Sequence, residues 1–235
     1  MLEIAAQDRL ELLYVLAVTT GMRRGELLAL HWADVDLAGG YVVVRYTLQH
    51  LKNGAYTFGP PKTERSRRKV SLTDLALVAL ERRRRRQEEE RSLARPTWQD
   101  EDLVFTSAIG EPLRANHILQ HQFTPLLKKA GLPLIRFHDL RHTAATLLLR
   151  QGIHPKIVAE MLGHSTVSMT LDIYSHVIPD MQKGATIALD QLLGAAASDA
   201  DVPQAMSPTV AHATRRNRKT RADTSPSRKE QTSTP

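Results

Sequence analysis

Residues 138–174 read HDLRHTAATLLLRQGIHPKIVAEMLGHSTVSMTLDIY. His138, Arg141 and His142 stand three and four apart, so on a helix their side chains leave one face together. The periodicity predicts that this helix buries Leu140, Ala144, Leu147 and Leu148 and stops at Gly152. Pro155 starts a second helix, PKIVAEMLGH, broken at Leu162-Gly163 just before His164. Ser165 or Thr166 is expected to cap a third, with Tyr174 near its end and Pro179 beyond it. Two imidazoles, a guanidinium and a phenol gathered by hydrophobic turns are read as converging on one phosphate.

Upstream, residues 8–20 carry Leu10, Leu13, Tyr14 and Ala17 at helical spacing, and Gly21 ends the run. The next segment, RRGELLALHWADVDL, reads as a second helix with Leu27, Leu28 and Leu30 on its apolar side. Arg23 and Glu26 lie three apart at its start, so the carboxylate can hold the guanidinium. A plain surface ion pair is the ordinary outcome of such spacing. Gly39-Gly40 opens the β-branched run YVVVRYTLQH, and Asn53-Gly54 before AYTFG is a hairpin signal. RKVSL is expected to add a third strand to one small antiparallel sheet. Lys62 falls in the connection PPKTERSRR, stiffened by two prolines.

Thr73 caps a long helix, TDLALVALERRRRRQEEERS. Arg84, Arg85 and Arg86 each precede Glu88, Glu89 and Glu90 by four residues, which predicts a self-paired, solvated face. LVFTS reads as a short strand and residues 109–112 as a turn. RANHILQHQFTPLLKKAG reads as a helix kinked at Pro125 and stopped by Gly131. Pro179 opens a last helix whose Ile187, Leu189, Leu192 and Leu193 suit docking on a partner surface. From Ser198 the composition turns to Ser, Thr, Pro, Ala and Arg without periodicity, which predicts a disordered tail. Its Arg215, Arg216, Arg218, Lys219 and Arg221 would add salt-sensitive affinity for nucleic acid. The fold class is therefore mainly α with a small antiparallel β-sheet (α+β), with one domain over residues 1–197 and a basic tail over 198–235.

Bulk composition narrows the function. The chain of 235 residues has no cysteine and a net charge of +7, with 42% hydrophobic residues. Disulfides and thiolate metal sites are excluded, and a cytoplasmic, nucleoid-associated setting is expected. No stretch is apolar for long enough to cross a bilayer. The positive balance favours a polyanionic partner.

The chemistry suited to these residues is attack of a tyrosine on a phosphodiester. Negative charge gathers on the nonbridging oxygens, and preorganised guanidinium forks stabilise it better than water does. Arg23 and Arg141 would form the clamp and His164 a further donor. The Tyr174 phenol, ordinarily titrating near pH 10, needs a base or nearby positive charge, and His138 is placed to help. The leaving sugar hydroxyl needs an acid, and Lys62, its pKa lowered among arginines, would supply it. No cofactor is required: protein cations replace a metal, and the phosphotyrosine bond conserves the energy of the broken linkage.

TGMRRGEL (20–27), PKTERSRRKVSL (61–72), HDLRH (138–142) and LGHSTVSMTLDIYSH (162–176) resemble, in order and spacing, the boxes of the tyrosine recombinase, or phage integrase, family. The resemblance implies that family's catalytic-domain fold. It implies Arg23 and Arg141 as phosphate clamps, Lys62 as general acid and His138 as the acid/base histidine. It places His164 where the family has His or Trp, and Tyr174 as the nucleophile of a 3′-phosphotyrosine link. Glu26 matches the acidic residue that props the first arginine, and His142 a supporting position. The implied activity is site-specific recombination or integration of double-stranded DNA. The implied assembly is a homo-tetramer that exchanges the helix after the tyrosine, here residues 180–196, with accessory DNA-bending or directionality proteins as further partners. Family integrases carry an N-terminal core-binding domain, often preceded by an arm-binding module. This sequence starts almost at the first catalytic helix, so both are expected to be absent, as in a truncated member.

Two other readings compete. HDLRH approaches the zinc pattern H-E-x-x-H, but its second position is Asp and Arg141 shares the histidines' face, where it would repel a metal. IVAEMLGHSTVSMTLDIYSH could also be a helix-turn-helix that binds DNA without catalysis. That reading, like an inactive integrase remnant, leaves the ordered Arg23, Lys62, His138 and Tyr174 without a task.

Overall fold

The fold is organised around one helix that has no polar face. In the computed structural model, which describes residues 1–6, 8–51, 55–61, 66–175, 186–187, 189–191 and 193–194, α1 spans Leu2–Ala5 and α2 spans Glu11–Thr20. Leu12, Leu13, Tyr14, Val15, Leu16 and Ala17 of α2 are all buried, the pattern of a helix enclosed on every side. Two longer helices flank it: α4 (Asp74–Leu93) and α7 (Asp139–Arg150) both pack on α2. Gly21 ends α2 in the left-handed region at φ +61°, where a glycine has no side-chain penalty.

The segment after Gly21 differs from the expected single helix. Only Arg24–Leu28 is α-helical (α3); a 3₁₀ turn over Trp32–Asp34 follows, then β1 (Val35–Asp36). The β region also differs. The run YVVVRYTLQH breaks at Arg45-Tyr46 into β2 (Tyr41–Val44) and β3 (Thr47–His50). β3 pairs antiparallel with β4 (Tyr56–Gly59), as the Asn-Gly signal predicts, and Leu51 N–H donates to the Ala55 carbonyl at the hairpin mouth. β5 (Arg68–Ser71), however, pairs with β2 and not with β4, giving a second sheet of order β1-β2-β5. Two small sheets replace one because the break lets each half of the run face a different neighbour. LVFTS is not a strand: Leu103 and Thr106 make isolated bridges to His31 and Pro112.

Thr73 caps α4 as expected, its hydroxyl accepting from Ala76 N–H. Arg84, Arg85 and Arg86 of α4 are exposed as expected, but the ion pairs of the arginine run are not the expected i,i+4 ones. Arg83 is buried and bonds Glu90, seven residues on; Glu90 also holds Arg9, Arg82 reaches Glu11, and Arg86 donates to the Asp8 carbonyl. Arg82, Arg83 and Arg86 therefore fasten α4 to the segment 8–11, while Arg84 and Arg85 lie on its exposed face. The next helical stretch comprises α5 (Ala115–Ile118), a wide π turn (Leu119–Phe123) and α6 (Thr124–Lys129). The wide turn lies just ahead of Pro125, which has no N–H to continue an α pattern, and Thr124 Oγ1 caps the Leu119 carbonyl instead.

α8 (Pro155–Leu162) and α9 (Ser168–Ser175) complete the set. The cap of α9 lies later than expected, at Val167, whose carbonyl accepts from Leu171 N–H. In α7 the buried face is Leu140, Arg141, Ala144, Ala145 and Leu149; Leu147 is exposed and Leu148 only partly buried. Ala145 and Leu149 join Val158 and Leu162 of α8 in a small second core, with Ile173 of α9 against it. Each buried Leu there contributes about 2 kcal/mol. Among the described residues no helix is long and apolar enough to cross a membrane. Contacts divide the chain into Met1–Ala188 and Leu189–Pro235; every element named above belongs to the first. Of the expected last helix, residues 186–187, 189–191 and 193–194 are helical, with Ile187, Leu189 and Leu193 exposed. Leu192 and the whole tail from Ser198 lie outside the described residues.

Candidate active site

Two helices end in left-handed glycines, and their last carbonyls hold two arginines. Arg141, on α7, donates from Nη1 to the Gly21 carbonyl at 2.6 Å. Arg23, the N-cap of α3, donates from Nη2 to the Gly163 carbonyl at 3.0 Å, behind α8. Helix C-termini suit cations, because their free carbonyls and dipole are negative. Gly21 packs between Leu162 and Ala144, so a side chain there would collide with Leu162. The close approach of α2, α7 and α8 thus brings both guanidiniums to one place.

Glu26 fixes them further and is not part of a surface pair. It is 3% exposed, with Oε1 2.8 Å from Arg23 Nη1 and Oε2 3.0 Å from Arg68 Nη2. Burial alone would raise its pKa. The charge and hydrogen bond of Arg68, then the backbone and side-chain bonds of Arg23, overcome this and hold the carboxyl below its usual range. Arg68 is half-buried on β5, its side chain 7% exposed, and bonds the Met161 and Ser66 carbonyls, so it ties the second sheet to α8. Sequence reasoning passed over Arg68. Its box was read for Lys62, and no spacing rule joins residue 68 to residues 26 and 161.

The resulting cleft, about 100 Å³, is lined by Arg23, His138, Arg141, His142, Leu162, His164, Met169 and Ile173. Arg141 is 4% exposed, and its Nη2 has no hydrogen-bond partner among the described residues. Burial, then the charges of Arg23 and Arg68, push its pKa down to about 9, so it stays a cation at neutral pH. Nδ1 of His164 and Oγ1 of Thr170 share a hydrogen bond of 2.8 Å. Burial, followed by Arg141, Arg23, His142 and Arg68, pushes His164 down to about 4 and leaves it neutral near pH 7. His138 is lowered too, first by desolvation and then by His142 and Arg141, so it is a free base able to take a proton. The His138 and His142 rings meet edge to face, centroids 5.2 Å apart.

Five of the sequence-derived residues, Arg23, His138, Arg141, His142 and His164, therefore share one cleft, with Glu26 behind it. Tyr174 lies in the last turn of α9, directly after the cleft residue Ile173; its side chain is outside the described residues. Lys62 is likewise outside them. Among the described residues no group of three His, Asp or Glu side chains is placed to share a metal ion. The arrangement is a cation-rich hollow around the buried Arg141, with His138 and His164, both lowered in pKa, at its rim, suited to gripping a tetrahedral anion.

The Phage integrase family model matches residues 2–180. The chain belongs to the phage integrase family. A tyrosine recombinase XerC-like protein of Caldanaerobacter subterraneus subsp. tengcongensis is 35% identical over 195 residues, covering 78% of this chain and 50% of that protein. The ICEBs1 integrase of Bacillus subtilis is 34% identical over 209 residues, covering 82% and 52%. The chain thus spans about half the length of these curated relatives. Among solved structures, the Tn1549 transposon integrase in complex with circular intermediate DNA superposes with a TM-score of 0.68 at 25% identity, covering 80% of this chain and 63% of that one. XerA recombinase gives 0.57 at 27% identity, covering 80% and 60%. The mainly helical fold with small antiparallel sheets is that of the phage integrase catalytic domain. The helix-turn-helix alternative is not favoured: the turn at Gly163 is buried in the cleft wall and bonded to Arg23.

Proposed function

We propose that this integrase-family chain cleaves and rejoins strands of double-stranded DNA through a 3′-phosphotyrosine link. The observation that carries the reading is the Arg141 Nη2 group: a buried guanidinium nitrogen, unpartnered among the described residues, on an arginine that lines the same cleft as Arg23. A buried donor of this kind costs free energy unless an acceptor arrives, and a scissile phosphate supplies one.

In this reading Arg23 and Arg141 grip the nonbridging oxygens while Glu26 keeps Arg23 aimed. The Tyr174 oxygen attacks phosphorus, its proton passes to His138, and the departing 5′ oxygen takes a proton from Lys62. His164 adds a neutral hydrogen bond to the phosphate as charge builds, and His142 supports His138. Religation is the reverse, with the 5′ hydroxyl attacking the phosphotyrosine. The relatives named recombinase and integrase, and the DNA complexed with the Tn1549 integrase, support both the activity and the partner. Residues 1–197 would form the catalytic domain, residues 180–196 would join neighbours in a homo-tetramer on DNA, and the basic segment 198–235 would add nonspecific affinity.

Incubation with a nicked duplex carrying the recombination site tests this. The wild-type chain should form a denaturation-resistant protein–DNA adduct, and Tyr174→Phe should lose it while binding DNA as before. An adduct that persists in Tyr174→Phe rejects Tyr174 as the nucleophile.

A further inference from the structure

Thr170 is fully buried in the first turn of α9, four residues ahead of Tyr174. Its Oγ1 lies 2.8 Å from Nδ1 of His164. His164 lines the cleft, so with Nδ1 engaged, Nε2 is the ring nitrogen left for a bound group. A neutral imidazole carries one N–H, and the partner on one nitrogen decides whether the proton sits on the other. A hydroxyl can either donate to Nδ1 or accept from it, so the contact alone allows two arrangements. The surroundings separate them. With the proton on Nδ1, the Nε2 lone pair would face an anion held by Arg23 and Arg141 and repel it. With the proton on Nε2, the ring donates to that anion.

We infer that Thr170 is a positioning residue: its hydroxyl donates to Nδ1 of His164, keeps the ring proton on Nε2, and thereby makes His164 a neutral hydrogen-bond donor to the phosphate. The inference rests on the recombinase reading for what the phosphate is, and on the Thr170 contact together with an anion between Arg23 and Arg141 for the tautomer. The same contact fastens α9, the helix that carries Tyr174, to the turn after Gly163. His164 thus reports to the cleft whether α9 is seated.

Ring-nitrogen NMR of ¹⁵N-histidine-labelled chain, with and without inorganic phosphate, reads the tautomer without any reaction. In the wild type, His164 should show a protonated Nε2 and an unprotonated Nδ1. Thr170→Val should move both shifts toward the average of two exchanging tautomers, and Thr170→Ser should restore them. In cleavage of the nicked duplex, Thr170→Val should be about tenfold slower, the scale of one lost hydrogen bond, and Thr170→Ser should recover most of that loss. In a His164→Ala background, Thr170→Val should add nothing. A protonated Nδ1 in the wild type, unchanged shifts in Thr170→Val, or an undiminished penalty in the His164→Ala background would each overturn the inference. If the shifts behave as stated but the wild-type chain never forms an adduct, the tautomer assignment stands and the recombinase reading falls.

Discussion

Arg83 and Arg141 are equally hidden, each 4% exposed, yet the fold treats them in opposite ways. Arg83 spends all three guanidinium nitrogens inside the protein: Nε on the Val104 carbonyl, Nη1 on Glu90 and Nη2 on Thr106 Oγ1. Arg141 has one bond, to the Gly21 carbonyl, and a second terminal nitrogen with no partner among the described residues. Arg83 also has a carboxylate against it, whereas the nearest charges that shift Arg141 are mainly other arginines. A buried cation whose donors are all answered is part of the scaffold. One whose donors are left over, among like charges, fits the anion-binding role proposed for Arg141.

The comparison breaks most sharply under substitution by methionine. Arg83→Met should destabilise the fold by about 3 kcal/mol, because it removes three hydrogen bonds and one of the two arginines that hold Glu90. Arg141→Met should change stability by less than about 1 kcal/mol, since an apolar side chain replaces an under-satisfied charge. It should nonetheless abolish adduct formation, by about a hundredfold or more if the clamp is the main source of transition-state stabilisation. Urea denaturation of both variants checks the first pair of values. Equal losses of stability would show that Arg141 is scaffold after all.

A smaller effect follows from the rim of the same cleft. His164 titrates near 4 in the folded chain against an ordinary 6.5, so below pH 6.5 the unfolded chain binds a proton that the folded one refuses. Its contribution to stability is fully present above pH 6.5, declines as the pH falls toward 4, and levels off below that. After allowance for solvent screening, the loss should be about 1 kcal/mol and should vanish in His164→Gln. Urea midpoints at pH 7.5 and 4.5 measure it; an unchanged pH slope in His164→Gln would assign the titration elsewhere. The smallest effect belongs to the exposed side of α4, where Arg85→Ala should shift stability by no more than about 0.5 kcal/mol. A larger loss would mean that this helix face carries a contact comparable to that of Arg83.

Much of this was legible along the chain, and the rest was not for identifiable reasons. Gly21, Thr73, Gly131 and Gly163 mark their helix ends because a left-handed turn or a cap is a local demand. The cleft residues could be named because His138, Arg141 and His142 lie within one helix and the remaining boxes have fixed order. Arg68 could not, since its meaning comes from Glu26 and Met161, far off in sequence. The exposed face of the arginine run is legible, but its ion pairs are not, because the i,i+4 rule assumes water beyond the helix and Arg9 and Glu11 pack beside Glu90 and Arg82. Periodicity places Leu147 in the buried face because it follows the outer apolar stripe of α7, whereas the arc that packs is centred on Arg141, Ala144 and Ala145. A charged residue at the middle of a buried arc is invisible to hydrophobic periodicity.

The anchoring of Arg141 and Arg23 on the Gly21 and Gly163 carbonyls that end α2 and α8 ties the place of both guanidiniums to helix length. Inserting or deleting a single residue in either helix would turn its terminal carbonyl by about 100° around the axis and carry it away from the guanidinium. Drift in this lineage should therefore collect as substitutions within those two helices and as length changes in the connections between them, with the helices themselves keeping a fixed number of turns.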